Sequence, residues 1–138
     1  MTTVVDASVV VDWVAPGLIP TSRALALLDQ LADADEPLAA PRLLLHEVGN
    51  ALLTGVRRDR WSGAQADAAY AHLRRLPVAL LDEAADADRA YELSRRYDEH
   101  PAYDMVYLAL AQRLGARLVT ADERLLARVG HLPEVSGV

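Results

Sequence analysis

Short apolar runs alternate along this chain with longer segments in which apolar residues recur at helical spacing, and this alternation constrains the fold most. The runs that predict strands cover residues 2–5, 37–40, 77–82 and 117–120, and Val135 is a candidate for a terminal edge strand. The predicted helices cover residues 7–14, 22–35, 41–58, 62–75, 83–97, 102–114 and 122–129, with Ser22 or Thr21 opening the second. Apolar strands that alternate with helices imply a parallel sheet covered on both faces. The sequence therefore predicts a three-layer α/β/α domain with a short, mostly parallel central sheet.

Composition limits the possible classes of function. A length of 138 residues suits one domain, predicted to span residues 1–138. Cysteine is absent, which excludes disulfides, thiolate zinc sites and cysteine nucleophiles, and lysine is absent, which disfavours a P-loop. A net charge of −6 argues against a nucleic-acid partner unless bound cations neutralise clustered acids. No targeting signal or membrane span is evident, so we expect a cytoplasmic protein without a membrane partner.

Two acids follow predicted strands, where ligands of parallel sheets bind. Asp6 comes directly after the first strand, and Asp122 comes two residues after the strand that ends at Thr120. Parallel strands bring both to the same edge of the sheet. The alternative is that both are helix caps, with Asp6 capping residues 7–14 and the segment from Thr120 to Glu123 forming a capping box.

Two further acids lie in strongly apolar helical segments. Glu47 has mainly apolar helical neighbours, and an unpaired buried carboxylate would cost several kcal/mol, so it should face a cation, an arginine or a wet cleft. A salt bridge or an edge position is the simpler explanation. Asp104 opens the apolar segment 105–111 and either projects into the same pocket or serves the helix dipole.

The order of these acids and the residues around them resemble the motifs of a known family. The motifs are Asp6-Ala-Ser8, Glu47 with Asn50, Tyr103-Asp104 before Tyr107-Leu-Ala-Leu-Ala, and Thr120-Ala-Asp122. They resemble the acidic motifs of PIN-domain ribonucleases over nearly the whole chain, and the length and helix content resemble the VapC toxins of type II toxin–antitoxin pairs.

The resemblance implies an activity, a cofactor and partners. It assigns Asp6, Glu47, Asp104 and Asp122 as a catalytic quartet that binds Mg²⁺ or Mn²⁺, with Ser8 and Thr120 as polar supports and Asn50 in the wall of the site. Clustered carboxylates need a cation to remain ionised together, and Mg²⁺ prefers such hard oxygen ligands. The implied reaction is metal-assisted hydrolysis of RNA phosphodiesters without a side-chain nucleophile. The implied partners are an RNA substrate, a small antitoxin protein and a second copy of the chain.

A group of arginines is the candidate for binding RNA. Arg57, Arg58 and Arg60 precede Trp61, so they could grip phosphates while the indole stacks on a base. The alternative is an exposed helix end in which Trp61 is a packing anchor.

Two other functions fit the same residues. One is a non-catalytic protein-binding module, in which the acids are caps and salt bridges. The other is a metal-dependent nuclease or phosphatase that acts on DNA or nucleotides.

Overall fold

Strands and helices alternate as the sequence predicts. The computed structural model describes residues 1–17 and 22–138. The strands in this part of the chain are β1 Thr3–Val5, β2 Leu38–Ala40, β3 Val78–Leu80, β4 Arg117–Thr120 and β5 Val135–Gly137. The helices are α1 Ala7–Val14, α2 Arg23–Asp33, α3 Leu43–Arg57, α4 Gly63–Arg75, α5 Ala84–Arg96, α6 Ala102–Leu114 and α7 Glu123–Val129. Ser22 caps α2, whereas Thr21, the other predicted opening residue, lies outside the described residues.

All pairings in the five-stranded sheet are parallel, in the order β3-β2-β1-β4-β5. Thr3 of the central strand lies between Leu38 of β2 and Arg117 of β4. The chain therefore builds outward from β1 to β3 on one side and then crosses to β4 on the other. Such a reversal opens a crevice at the carboxyl ends of the strands, between β1 and β4. The predicted α/β/α class is confirmed.

The core lies on both faces of β1, whose three residues are fully buried. Helix α6 packs on β1 and β4 and also on α5, while α1 packs on α2, α3 and α4. Trp13 of α1 is buried, and its indole N–H donates to the carbonyl of Ala24 at 2.7 Å. These contacts fix the position of the carboxyl end of β1 relative to the surrounding helices.

One predicted helix start is wrong by two residues. Pro41 was expected to be the first residue of its helix, but α3 begins at Leu43. The preceding turn is tighter, because the amides of Leu44 and Leu45 donate to the carbonyls three residues earlier, at Pro41 and Arg42. The carboxylate of Asp82, 40 residues further along the chain, accepts from the Arg42 amide at 2.8 Å and so provides the hydrogen-bond partner for this free amide.

Other local signals are confirmed. Ser62 and Gln65 form the predicted capping box of α4, and Gly115 ends α6 with φ +61°, in the left-handed region that glycine favours. Within residues 1–17 and 22–138, the helices lack the length and apolar character that crossing a membrane requires.

Gly55→Ala is expected to destabilise the protein by about 1–3 kcal/mol. A β-carbon at Gly55 would overlap the ring of Trp61, whose N–H donates to the Leu52 carbonyl at 2.9 Å. The indole would have to move and lose that bond. Urea denaturation would measure the loss, with Gly63→Ala as the control because a β-carbon there meets nothing within 4 Å. Equal stability of the two variants would contradict the packing argument.

Candidate active site

Asp6 lies at the carboxyl end of β1 and is 4% exposed. Its Oδ2 accepts hydrogen bonds from the amide and hydroxyl of Ser8 and, at 3.0 Å, from the hydroxyl of Thr120. Asp6 is therefore the N-cap of α1, as one of the two sequence interpretations held. Its Oδ1 accepts no hydrogen bond from the described residues, which leaves this oxygen for a ligand.

Thr120 and Asp122 extend this arrangement from the carboxyl end of β4. The Thr120 hydroxyl accepts from the amide of Asp122 at 3.0 Å, and the Ser8 hydroxyl accepts from the amide of Ala121 at 2.9 Å. Asp122 caps α7, because its Oδ1 accepts from the amides of Arg124 and Leu125. The predicted capping box beginning at Thr120 is thus wrong. Asp122 is the N-cap, and the Thr120 hydroxyl instead donates to Asp6 and accepts from the Asp122 amide.

Glu47 enters the site from the second turn of α3. Its Oε1 accepts from the hydroxyl of Tyr107 at 2.8 Å, and Tyr107 is fully buried in α6. In the part of the chain that the structure describes, Glu47 forms no salt bridge, which contradicts one of the two simpler interpretations; its half-buried position leaves the other, an edge position, open.

Asp104 occupies the first turn of α6. Its Oδ2 lies 2.7 Å from Nε2 of His100, which is 7% exposed. No backbone amide among the described residues donates to this carboxylate, so Asp104 does not cap its helix. The helix dipole still favours a negative charge at this position.

The electrostatics indicate that the four acids share one region. Burial raises the pKa of Asp6 and of Asp104, and burial is also the largest of the effects that together raise the pKa of Glu47 to about 7. The negative charges of Asp6, Asp104 and Asp122 contribute to this rise, whereas the hydrogen bond from Tyr107 opposes it. Carboxylates that destabilise one another's charge in this way form a site that attracts cations.

The donor set suits a divalent ion such as Mg²⁺. Each of the four carboxylates commits one oxygen to a protein donor, and the other accepts no hydrogen bond from the described residues. Hard oxygen donors of this kind are the ligands that Mg²⁺ prefers. Within residues 1–17 and 22–138, however, no three carboxylate or imidazole groups are close enough to grip one ion. Binding an ion through three of them therefore requires their side chains to move together.

Glu47→Gln is expected to stabilise the metal-free protein at neutral pH. Because its pKa rises from an ordinary value of 4.5 to about 7 in the folded protein, folding takes up protons at Glu47 between these two pH values. The free energy of unfolding therefore falls as the pH rises through this range. Glutamine has no charge to bury, so the variant should exceed wild type in stability at pH 8 and lose this advantage below pH 4.5.

Urea denaturation in the presence of a chelator, at both pH values, would measure this difference. Glu123→Gln is the matched control, since Glu123 is exposed in the first turn of α7. A Glu47→Gln variant that is less stable than wild type at pH 8 would contradict the expected sign.

The remaining predicted residues are exposed on α3 and just after it. Asn50 is exposed one helical turn beyond Glu47. Arg57 ends α3 ten residues after Glu47, which places it about 15 Å away along the helix axis. Arg58 and Arg60 are exposed beside it, and the Arg60 guanidinium lies 6.0 Å from the centre of the Trp61 ring. Trp61 is a packing anchor against Gly55, as the alternative interpretation held.

Two residues at the site were not predicted from the sequence. Tyr107 donates to Glu47 and His100 contacts Asp104, and both side chains are buried. His100 precedes Asp104 by four residues but lies before the start of α6, so helical spacing does not predict this contact. Tyr107 and Glu47 are separated by 60 residues, so local spacing carries no signal for their contact.

Comparison with known proteins relates the chain to one family. The PIN domain family matches residues 3–132. Ribonuclease VapC1 of Mycobacterium tuberculosis is 36% identical over 128 residues, which cover 92% of this chain and 90% of that relative.

Solved structures share the fold. The crystal structure of PAE2754 from Pyrobaculum aerophilum superposes with a TM-score of 0.72 and 25% identity, covering 100% of this chain and 90% of the other. VapC20 of M. tuberculosis, described as a sarcin-ricin loop cleaving toxin, gives a TM-score of 0.65 at 21% identity, over 91% of this chain and 93% of the other. By its family match and its similarity to VapC1, the chain belongs to the PIN-domain family and, within it, to the VapC ribonucleases.

Proposed function

We propose that this chain is the toxin of a toxin–antitoxin pair and that it hydrolyses RNA at a divalent-metal site formed by Asp6, Glu47, Asp104 and Asp122. PIN-domain ribonucleases generally use divalent metal ions. The hard carboxylate oxygens favour Mg²⁺ or Mn²⁺ as the ion. Membership of the VapC ribonucleases supports the activity, and the acidic edge of the sheet supports the location.

The observation that carries the proposal is the absence of arginine partners around these acids in the described chain, where the His100 imidazole beside Asp104 is the basic side chain in contact with them. Elsewhere arginines pair with partly or fully buried carboxylates, in Arg42–Asp82 at 3.2 Å, Arg113–Asp86 at 2.8 Å and Arg117–Glu36 at 3.1 Å. No arginine within residues 1–17 and 22–138 forms a salt bridge with any of the four proposed ligands. Carboxylates that are half or fully buried without a counter-charge indicate a site for a cation.

The side chains around the acids orient them. A divalent ion at such a site supplies positive charge to a phosphodiester and lowers the pKa of a bound water. Ser8 and Thr120 hold Asp6 at the end of β1, and Tyr107 holds Glu47. Each contact fixes one oxygen and leaves the other directed away from its protein partner. The protein thereby keeps its negative charge concentrated at the edge of the sheet, where the phosphodiester must approach.

The proposal extends to partners and location. We assign Arg57, Arg58 and Arg60 to phosphates remote from the cleaved bond, because the helix length separates them from Glu47 by about 15 Å. Ser8 and Thr120 are assigned as supports and Asn50 as a residue of the site wall. A small antitoxin protein that blocks the site, a homodimer, a cytoplasmic location and a single domain spanning residues 1–138 complete the proposal.

Metal-dependent cleavage tests the activity directly. Purified protein should cleave structured RNA with Mg²⁺ or Mn²⁺, lose this activity in a chelator and regain it when excess metal is added. Single-stranded DNA and a phosphomonoester should remain intact under the same conditions. Cleavage that is unchanged by the chelator would contradict the metal site, and cleavage of DNA at an equal rate would favour the other nuclease function.

Expression in a bacterial host tests the toxin role. Induction of the wild-type chain should arrest growth, and Asp104→Asn should relieve the arrest. The control is Asp88→Asn, since Asp88 is exposed on α5. Normal growth on induction of stable, folded wild-type protein would contradict the toxin role.

A further inference from the structure

His100 is the buried histidine of this chain, whereas His46, His72 and His131 are exposed. Its Nε2 lies 2.7 Å from Oδ2 of Asp104. When Asp104 is ionised it can only accept hydrogen bonds, so Nε2 is then the donor in this contact. The imidazole is thus a fixed donor to an acid of the proposed metal site.

The backbone that delivers His100 adopts an unusual conformation. Asp98 and Glu99, the two residues before it, have φ of +57° and +51°, in the left-handed region that side chains other than glycine seldom adopt. Such a conformation is strained and persists only where surrounding contacts hold it. The amide of His100 donates to the carbonyl of Tyr97 at 3.2 Å, which closes the turn. The strained turn places the imidazole against the start of α6.

The contact determines which way Asp104 points. An aspartate in the first turn of a helix can turn back onto free backbone amides, and Asp104 does not do so among the described residues. The bond to Nε2 fixes Oδ2 and leaves Oδ1 without a protein donor in the described chain. A histidine can do this without the permanent charge of an arginine, which would compete with a cation for the carboxylate.

We infer that His100 is a positioning residue, whose Nε2–H holds Asp104 Oδ2 and leaves Oδ1 free to bind a divalent ion. The inference rests on the proposed function, because it assigns a role within the same site. Partners that orient metal ligands in this way contribute about 10–100-fold to metal affinity or activity.

Two substitutions separate the hydrogen bond from the packing of the ring. His100→Leu fills a similar volume without a donor, whereas His100→Gln carries an N–H close to the position of Nε2. Binding of Mn²⁺ alone to the full chain, measured by calorimetry and by electron paramagnetic resonance, gives a readout besides cleavage. We expect His100→Leu to weaken Mn²⁺ affinity about 10–100-fold and His100→Gln to recover most of it. The cleavage defect of His100→Leu should shrink as the Mn²⁺ concentration is raised.

Control variants make the result decisive. His72→Leu on α4 should bind Mn²⁺ as wild type does, because His72 is exposed. If Asp104→Asn weakens binding and His100→Leu does not, or if His100→Gln binds no better than His100→Leu, the inference is overturned while the proposed function stands. If wild type binds no Mn²⁺, the proposed metal site fails and the inference fails with it.

Discussion

Asp6→Asn is expected to reduce RNA cleavage about 1,000-fold, equivalent to about 4 kcal/mol of transition-state stabilisation. The substitution keeps the size and shape of the side chain, and its amide oxygen can still accept from the Ser8 amide. It removes the negative charge from the carboxylate at the centre of the sheet edge, 4% exposed between β1 and β4. The loss should therefore affect the metal site and leave the fold intact.

Stability measurements distinguish loss of charge from loss of structure. Burial raises the pKa of Asp6, which means that the folded metal-free protein disfavours its charged form. Asp6→Asn should consequently be at least as stable as wild type in a chelator at neutral pH. Asp12→Asn is the matched control on the same helix, since Asp12 is exposed, and it should retain wild-type cleavage. Cleavage by Asp6→Asn within tenfold of wild type would remove Asp6 from the proposed ligands.

Local sequence signals accounted for most of the fold. The strand and helix bounds follow from apolar periodicity and from caps such as Ser62, and they differ from the structure by no more than about two residues. The errors occur where distant segments intervene. Helix α3 begins later than predicted, after a turn whose Arg42 amide donates to Asp82. Thr120 does not cap α7, because its hydroxyl donates to Asp6 and accepts from the Asp122 amide. The contact of Asp82 with Arg42 spans 40 residues and that of Thr120 with Asp6 spans 114, so neither leaves a local pattern.

Two of the acids of the site could be grouped from the sequence because of the geometry of a parallel sheet. Parallel strands bring the residues after β1 and β4 to one edge, so Asp6 and Asp122 could be grouped before any coordinates. The donors that orient the acids were less accessible, because Tyr107 reaches Glu47 only through the packing of α6 on the sheet. The role of Arg57 stays a prediction: it follows Glu47 on the same helix, and the rise of that helix separates the two residues by about 15 Å.

Asp86→Ala is expected to destabilise the protein by about 2–4 kcal/mol, between the effects of an exposed ion pair and of a fully buried one. Asp86 is 2% exposed, and both of its oxygens accept from Arg113, at 2.8 and 3.0 Å. Oδ2 also accepts from the Glu83 amide at 2.9 Å, so the substitution removes half of a capping box. Arg113 further donates to the Leu81 carbonyl, which ties the end of β3 to α5 and α6.

The pH dependence of this effect has a definite sign. Arg113 holds the pKa of Asp86 below its ordinary value of 3.8, so the stabilisation is fully present above that pH and is lost as the pH falls through the lowered pKa. Urea denaturation of wild type and Asp86→Ala should therefore show curves that differ at pH 7 and converge in acid. Asp88→Ala, at an exposed position of the same helix, should change stability by less than about 0.5 kcal/mol. If the two alanine variants are equally stable at pH 7, the pairing of α5 with α6 does not depend on this carboxylate. Helix α6 also carries Asp104 and Tyr107. A confirmed loss of stability would therefore indicate that the ion pair of Arg113 with Asp86 stabilises the helix that contributes to the acid cluster.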